Sequence, residues 1–212
     1  MKIILEKISK VIKSHIILQN VNMELESGNI YGFVGINGSG KTMLMRILTG
    51  LVSYTDGQLF VDGKPVDRNR ELYYHMGVII EQPEFFNDMT GKENLEMLAS
   101  LKNRIGEEEI IQAMNRVDLD PFYSKKVKEY SLGMKQRLGI AQAIMEDPDV
   151  YILDEVTNGL DDEGVQMLHS ILREEKKKGK LVIISSHNKQ DINVLCDYVY
   201  LFKNQTVMLY EE

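Results

Sequence analysis

A single cysteine, Cys196, stands in a chain of 212 residues, so no intrachain disulfide is possible. That scarcity fits a reducing compartment, with the thiol read as a small buried apolar side chain. Long hydrophobic runs are also missing: no stretch approaches the roughly 20 apolar residues that cross a bilayer. No basic-then-apolar segment opens the sequence, and the expected location is the cytosol. Positive charge is in deficit, 25 lysines and arginines against 32 aspartates and glutamates, for a formal net charge of −7. This balance argues against a broad nucleic-acid surface, which needs a basic face. The basic run Lys176-Lys177-Lys178, with Lys180 beyond Gly179, falls at the end of a helical stretch and reads as a solvated helix end.

What is present is enough for one substantial α/β core with an insertion, and two full domains would be cramped. Hydrophobic residues at 43% and charged residues at 27% give the balance of a globular protein. At its centre, Gly35-Ile36-Asn37-Gly38-Ser39-Gly40-Lys41-Thr42 fits G-x-x-x-x-G-K-[ST] without a mismatch. The apolar run Ile30-Tyr31-Gly32-Phe33-Val34 before it reads as a buried strand. Met43-Leu44-Met45-Arg46-Ile47-Leu48 after it reads as a helix, with Gly50 at its C-cap. Glycines let the backbone curl until several N–H groups face a phosphate, beside the positive end of the helix dipole. Lys41 then adds a charge for the β- and γ-phosphates, and the Thr42 hydroxyl is a Mg²⁺ ligand. A glycine-rich turn that binds nothing is the plain alternative; the intact Lys41-Thr42 pair and its flanking elements argue against it.

Around this loop, Lys2 to Leu25 is strand-like, and Gln58-Leu59-Phe60-Val61 lies between turns at Tyr54–Gly57 and Asp62-Gly63. Antiparallel strands therefore flank the phosphate loop. Met76–Ile80 reads as a further buried strand that Pro83 stops. Thr90-Gly91-Lys92-Glu93 matches a capping box, and the segment from about 85 to 147 is helical in pattern without a convincing strand. Val150–Leu153 and Leu181–Ile184 are short apolar runs around a long helix, the mark of a parallel βαβ crossover. Tyr198–Phe202 and Val207–Tyr210 close the chain as a strand pair around Asn204.

Asp154 and Glu155 follow the first of those apolar runs, at the strand end where open α/β sheets place ligands. Asp154 is expected to hold Mg²⁺, and Glu155 to polarise the water that attacks the γ-phosphate. Their plain alternative is a pair of acids capping the next helix. His187, beyond Ser185-Ser186, stands at another strand end, within expected reach of the γ-phosphate or the water. Ser131 reads as an N-cap, and Gly133 leaves that helix start open to a phosphate on another molecule. Taken alone, this is an ordinary capped helix.

Over essentially its whole length the chain resembles the nucleotide-binding subunit of ATP-binding cassette transporters. Gly35 to Thr42 matches the Walker A motif, Val150 to Asp154 the Walker B motif with Glu155 as catalytic carboxylate, Asn158-Gly159-Leu160-Asp161 the D-loop, and His187 the switch histidine. Ser131-Leu132-Gly133-Met134-Lys135-Gln136 stands in place of the signature sequence. The resemblance implies one cassette spanning 1–212, an α/β phosphate-loop NTPase. Its RecA-like core carries a parallel sheet, joined by an antiparallel β subdomain and a helical subdomain inserted at about 85–147. It implies ATP and Mg²⁺ as cofactors, and nucleotide contacts from Gly35, Ile36, Asn37, Gly38, Ser39, Gly40, Lys41, Thr42 and Met43. Two copies, or a pseudo-dimer, would pair head to tail on ATP, so that Ser131 and Gly133 of one face the phosphate loop of the other.

Departures from the pattern narrow the expectation. Glu81 takes the place of the Q-loop glutamine, with Gln82 one position late; Glu81 is expected near the metal and the water. A glutamate here, and a leucine second in Ser-Leu-Gly-Met-Lys-Gln-Arg, resemble the bacitracin and lantibiotic-protection group most closely. The position of the ring under adenine falls at Ile12, which offers an apolar contact instead. The reading is thus the ATP-hydrolysing subunit of an exporter, held at the inner membrane face by an integral membrane permease that docks near Glu81, Phe85, Phe86 and Met89. It would have no nucleic-acid partner. A soluble cassette ATPase acting on ribosomes or nucleic acid is the alternative, disfavoured by the acidic balance and by the lack of a second cassette or long coiled-coil insertion.

Overall fold

The computed structural model describes residues 1–67, 74–186, 192 and 194–210. An antiparallel sheet of order β2-β1-β4-β5 joins β1 (Lys2–Ile12), β2 (His15–Glu26), β4 (Asp56–Val61) and β5 (Lys64–Val66). A second sheet, of order β10-β9-β3-β8-β7-β6, joins β3 (Ile30–Val34), β6 (Met76–Ile79), β7 (Val150–Asp154), β8 (Leu181–Ser185), β9 (Tyr198–Lys203) and β10 (Thr206–Tyr210). All of its neighbours pair in parallel except β10 with β9. Five α-helices are found among the described residues: α1 (Lys41–Leu48), α2 (Gly91–Lys102), α3 (Glu107–Arg116), α4 (Leu132–Ile144) and α5 (Asp162–Lys177).

The unbroken apolar character of β7 and β8 follows from burial on both faces. Along each strand the side chains alternate between two cores. Val150, Ile152, Leu181 and Ile183 pack with α1 and the antiparallel sheet, on the side of Leu44, Leu48, Leu5 and Leu59. Tyr151, Leu153, Val182 and Ile184 pack with the helical layer, on the side of Leu138, Ile140, Leu168 and Leu172. The sheet is therefore the middle of three layers, and the end of β7 meets the start of α1 through Asp154 and Thr42.

Local chemistry sets the helix starts. Thr90 accepts from the Glu93 N–H while the Glu93 carboxylate accepts from the Thr90 N–H, which completes the predicted capping box. Asp161 caps α5 through the Gly164 N–H, and α5 carries the crossover from β7 to β8. From 85 to 147 the described backbone holds α2, α3, a 3₁₀ turn at Val127–Glu129, α4 and one isolated bridge, Thr90 to Lys126.

The basic run ends α5 with Lys177 and Lys178 exposed, as charge patterning suggests, but it also pairs with acids that the patterning does not show. Lys176 pairs with Asp197, and Lys178 donates to Glu175 at 2.9 Å. Glu175 has no exposed surface at all, and it also accepts from Arg116 at 2.8 Å and from the Tyr151 hydroxyl at 3.0 Å. Burial alone would push its carboxyl pKa up; the bonds from Lys178, Arg116 and Tyr151 outweigh that and hold it below the usual range. Cys196 is part-buried, with Sγ packed close to Gly32.

Candidate functional site

β3 delivers the chain into a loop that only glycine can make. Gly35 sits at φ 157°, and a Cβ there would stand 2.6 Å from the Phe202 carbonyl oxygen. Gly40, at φ 107°, is the N-cap of α1, and its Cβ would stand 2.6 Å from Leu18. The first helical bond runs from the Leu44 N–H to the Gly40 oxygen, so the N–H groups of residues 41 to 43 lead the helix and have no acceptor within it. Lys41 is buried, and its Nζ donates to the Gly35 and Ile36 carbonyls at 2.7 and 3.3 Å. Burial draws its ammonium pKa down, while the Glu155 and Asp154 carboxylates draw it partly back. Ser39 Oγ is buried with no hydrogen-bond partner among the described residues.

The acids stand across from the start of α1. Asp154 ends β7, and its Oδ2 accepts from the Thr42 hydroxyl at 2.5 Å. Its Oδ1 accepts from the Ser185 hydroxyl at the end of β8. Glu155 turns out of the strand at φ 49°, a left-handed backbone uncommon for any residue but glycine, and its Oε2 accepts from Asn158 at 2.9 Å. A cavity of about 660 Å³ joins these parts. Asn37 to Met43 line one wall, Asp154, Glu155, Asn158 and Gly159 another, and Ile17 and Glu81 to Pro83 with Leu132, Lys135 and Gln136 the rest.

Other expected residues land less simply. Ser131 caps α4 by accepting from the Met134 N–H at 3.2 Å, and Gly133 packs against the Gly159 carbonyl. Neither lines the cavity, although Leu132 between them does and is largely exposed. The start of α4 is held to the Val156–Asp161 stretch by Gln136, which donates to the Val156 oxygen, and by Arg137, which pairs with Asp161. Ile12 lies beside the tip of the β1–β2 hairpin, paired with His15, and does not line the cavity; Ile17, on β2 of the same hairpin, does. Glu81 lines the cavity at φ 65°, but its carboxylate is bonded to Arg46 on α1, a partner that the sequence reading did not assign. Of the two phenylalanines beyond it, Phe85 packs on the helical core and Phe86 is exposed. His187 lies outside the described residues. Ser185, Arg46 and Ile17 are the site residues missed in sequence. Ser185 and Ser186 follow an apolar strand in sequence, and only the β7–β8 register shows that the first of them meets an acid.

This donor set suits a nucleotide and a hard cation. The orphaned Ser39 hydroxyl, the buried Lys41 and the N–H groups leading α1 converge on one loop, as a polyphosphate requires. Thr42 and Asp154 supply oxygen only, which suits Mg²⁺, an ion held by few protein ligands plus phosphate oxygens. The family model for ABC transporters matches residues 18–158. The chain belongs to the ABC transporter family. It is an ATP-binding subunit of that family, and such cassettes are ATPases.

Among its relatives, the uncharacterized ABC transporter ATP-binding protein YybJ of Bacillus subtilis is 44% identical over 90% of this chain and 87% of that protein. The lantibiotic transport ATP-binding protein SrtF of Streptococcus pyogenes is 36% identical over 98% of this chain and 90% of that one. The bacitracin transport ATP-binding protein BcrA of Enterococcus faecalis is 38% identical over 92% of this chain, which spans 64% of it. A dimeric, post-hydrolysis structure of the cassette MJ0796 bound to ADP and Pi matches 99% of this chain and 98% of its own. Its TM-score is 0.85 at 22% identity, a likeness of fold.

Proposed function

We propose that this cassette hydrolyses ATP for an exporter that protects its host from peptide antibiotics of the lantibiotic or bacitracin type. The observation that carries the hydrolytic reading is the Thr42–Asp154 hydrogen bond, which places a phosphate-loop hydroxyl and a strand-end acid together beside Glu155. Gly35 to Met43 bind the phosphates through backbone N–H groups and Lys41, with Ile17 rather than Ile12 nearest to serve as the apolar contact for the base. Thr42 and Asp154 hold Mg²⁺, which when bound neutralises charge on the phosphate oxygens. Glu155, steadied by Asn158, orients the attacking water, and His187 is assigned to the γ-phosphate side. Ser131 and Gly133 at the start of α4 belong to the site of a second copy, so that two cassettes close over ATP. Residues 85–147 are read as an inserted helical subdomain. The exposed Phe86 beside Glu81 is read as the place where an integral membrane permease docks on the cytoplasmic face.

The cargo reading is supported by the names carried by SrtF and BcrA and by Glu81 in the loop after β6. A deletion strain complemented with wild-type or Glu155→Gln alleles tests it by growth against a panel of lantibiotics and bacitracin. We expect wild type to restore resistance and the Glu155→Gln protein, which binds ATP but turns it over at least about 100-fold more slowly, to fail. Equal sensitivity of all strains across the panel removes the cargo; wild-type turnover in the purified variant removes the role of Glu155.

A further inference from the structure

Ser185 is almost wholly buried, and the parallel register of β7 and β8 sets it directly across from Asp154. Its hydroxyl makes two bonds. It donates to Asp154 Oδ1 and accepts from the Glu155 N–H at 3.0 Å. The direction of each bond is fixed by chemistry, because an ionised carboxylate can only accept and a backbone N–H can only donate. One proton and one lone pair of a single side chain are thus committed to two adjacent acids.

Each bond has a consequence for the site. With Oδ1 held by β8, Asp154 is fixed in rotation so that Oδ2 is the oxygen that meets Thr42 on α1. Glu155 keeps its left-handed backbone with its N–H shared between the Ser185 hydroxyl and the Ser185 carbonyl, the latter at 3.2 Å. A turn of that kind persists where surrounding bonds over-determine it. Ser185 itself does not line the cavity.

We propose that Ser185 is a positioning residue for both acids: its hydroxyl aims Asp154 Oδ2 toward the Thr42 side and holds the turn that directs Glu155 into the cleft. The proposal rests on the assignment of Thr42 and Asp154 to the metal. Groups that orient a ligating carboxylate commonly change metal affinity or activity by about 10–100-fold when removed.

The test uses the full chain with Ser185→Ala and Ser185→Thr. Mn²⁺ affinity is read by electron paramagnetic resonance in the presence of a non-hydrolysable ATP analogue, and binding of the analogue is read without metal. In the alanine variant we expect Mn²⁺ binding to weaken by about 10-fold or more and turnover to fall by about 10–100-fold, with metal-free binding of the analogue within about twofold of wild type. The threonine variant, which keeps the hydroxyl, recovers both. Unchanged Mn²⁺ affinity in the alanine variant overturns the proposal. So does a parallel loss of metal-dependent and metal-free binding that threonine does not restore, because that is the behaviour of a packing defect. If the alanine variant does not fold, Ser185→Cys, close in shape but a poor donor, is judged by the same readings. A wild-type protein that binds Mn²⁺ with nucleotide but does not hydrolyse ATP would refute the proposed function, and the Mn²⁺ comparison would still decide the role of Ser185.

Discussion

Two buried carboxylates flank β7, and the fold treats them in opposite ways. Glu175, bonded to Tyr151 near the start of the strand, also takes a hydrogen bond from each of two cations, Arg116 and Lys178. Asp154, at the end of the strand, takes its hydrogen bonds from the hydroxyls of Thr42 and Ser185, and no ion pair to it is found among the described residues. Lys41 is close enough to feel its charge but donates to loop carbonyls. A buried acid satisfied by cations is neutralised within the fold and ties α3, α5 and β7 together. One held by neutral donors is oriented while its negative charge stays available to a ligand cation. The difference separates an acid neutralised within the fold from one that fits the proposed metal role by the chemistry of its partners, where burial alone would not.

The comparison breaks most visibly by exchanging each acid. Asp154→Asn keeps the shape and removes the charge, so ATP turnover should fall by about 10²–10³-fold while thermal stability moves by less than about 1 kcal/mol. Glu175→Leu should do the reverse, with near-normal ATP affinity and a loss of about 2–3 kcal/mol in denaturant unfolding. The loss stays below that of a stranded buried ion because Arg116 and Lys178 are 30% and 50% exposed and can return to water. A large stability loss from Asp154→Asn, or lost ATP binding from Glu175→Leu, would contradict the division.

The phosphate loop, the βαβ crossover and the Thr90–Glu93 capping box were legible because each is encoded in consecutive residues, by motif, periodicity or an i, i+3 pair. Glu175 was not. It lies in Arg173-Glu174-Glu175-Lys176-Lys177-Lys178, which reads as solvated charge, and its burial follows from Arg116, 59 residues away, arriving at the end of α3. Ser185 was hidden in the same way, since its role exists only through the cross-strand register with Asp154. The different cavity wall has another cause. β1 and β2 pair with three register shifts, and each shift changes which side chains share a face, so the sequence alone does not show that Ile17, and not Ile12, lines the cavity.

Acid sharpens the contrast more gently. Because the folded-state pKa of Glu175 is depressed, its contribution to stability is fully present above the unfolded value of about 4.3 and is lost as pH falls through the folded one. Unfolding free energy measured below about pH 4.3 should therefore drop less steeply in Glu175→Leu than in wild type. Exposed carboxylates such as Glu93 and Glu109 are also depressed and contribute to both slopes, so the difference between the two proteins isolates Glu175. Parallel slopes would mean that its ion pairs are already broken in the folded protein.

The smallest effect is the most discriminating, because it lies on the functional strand itself. Tyr151→Phe removes one hydroxyl, three residues before Asp154, and leaves Arg116 and Lys178 on Glu175. The ring still fills its place in the helical core, so the loss is one hydrogen bond to a charged acceptor, offset in part by easier burial of phenylalanine, about 1 kcal/mol in all. In a chain of this size that lowers Tm by about 2–4 °C. Residues 151 and 154 differ by an odd number along the strand, so Tyr151 and Asp154 point to opposite faces of the sheet, and the lost hydroxyl is not transmitted to Thr42 or Ser185. Turnover and KM for ATP should stay within about twofold of wild type once each protein is assayed well below its Tm. A tenfold fall in turnover with a normal melting temperature would show that the two acids communicate along β7 and that the cation-bound carboxylate is part of the hydrolytic machinery after all.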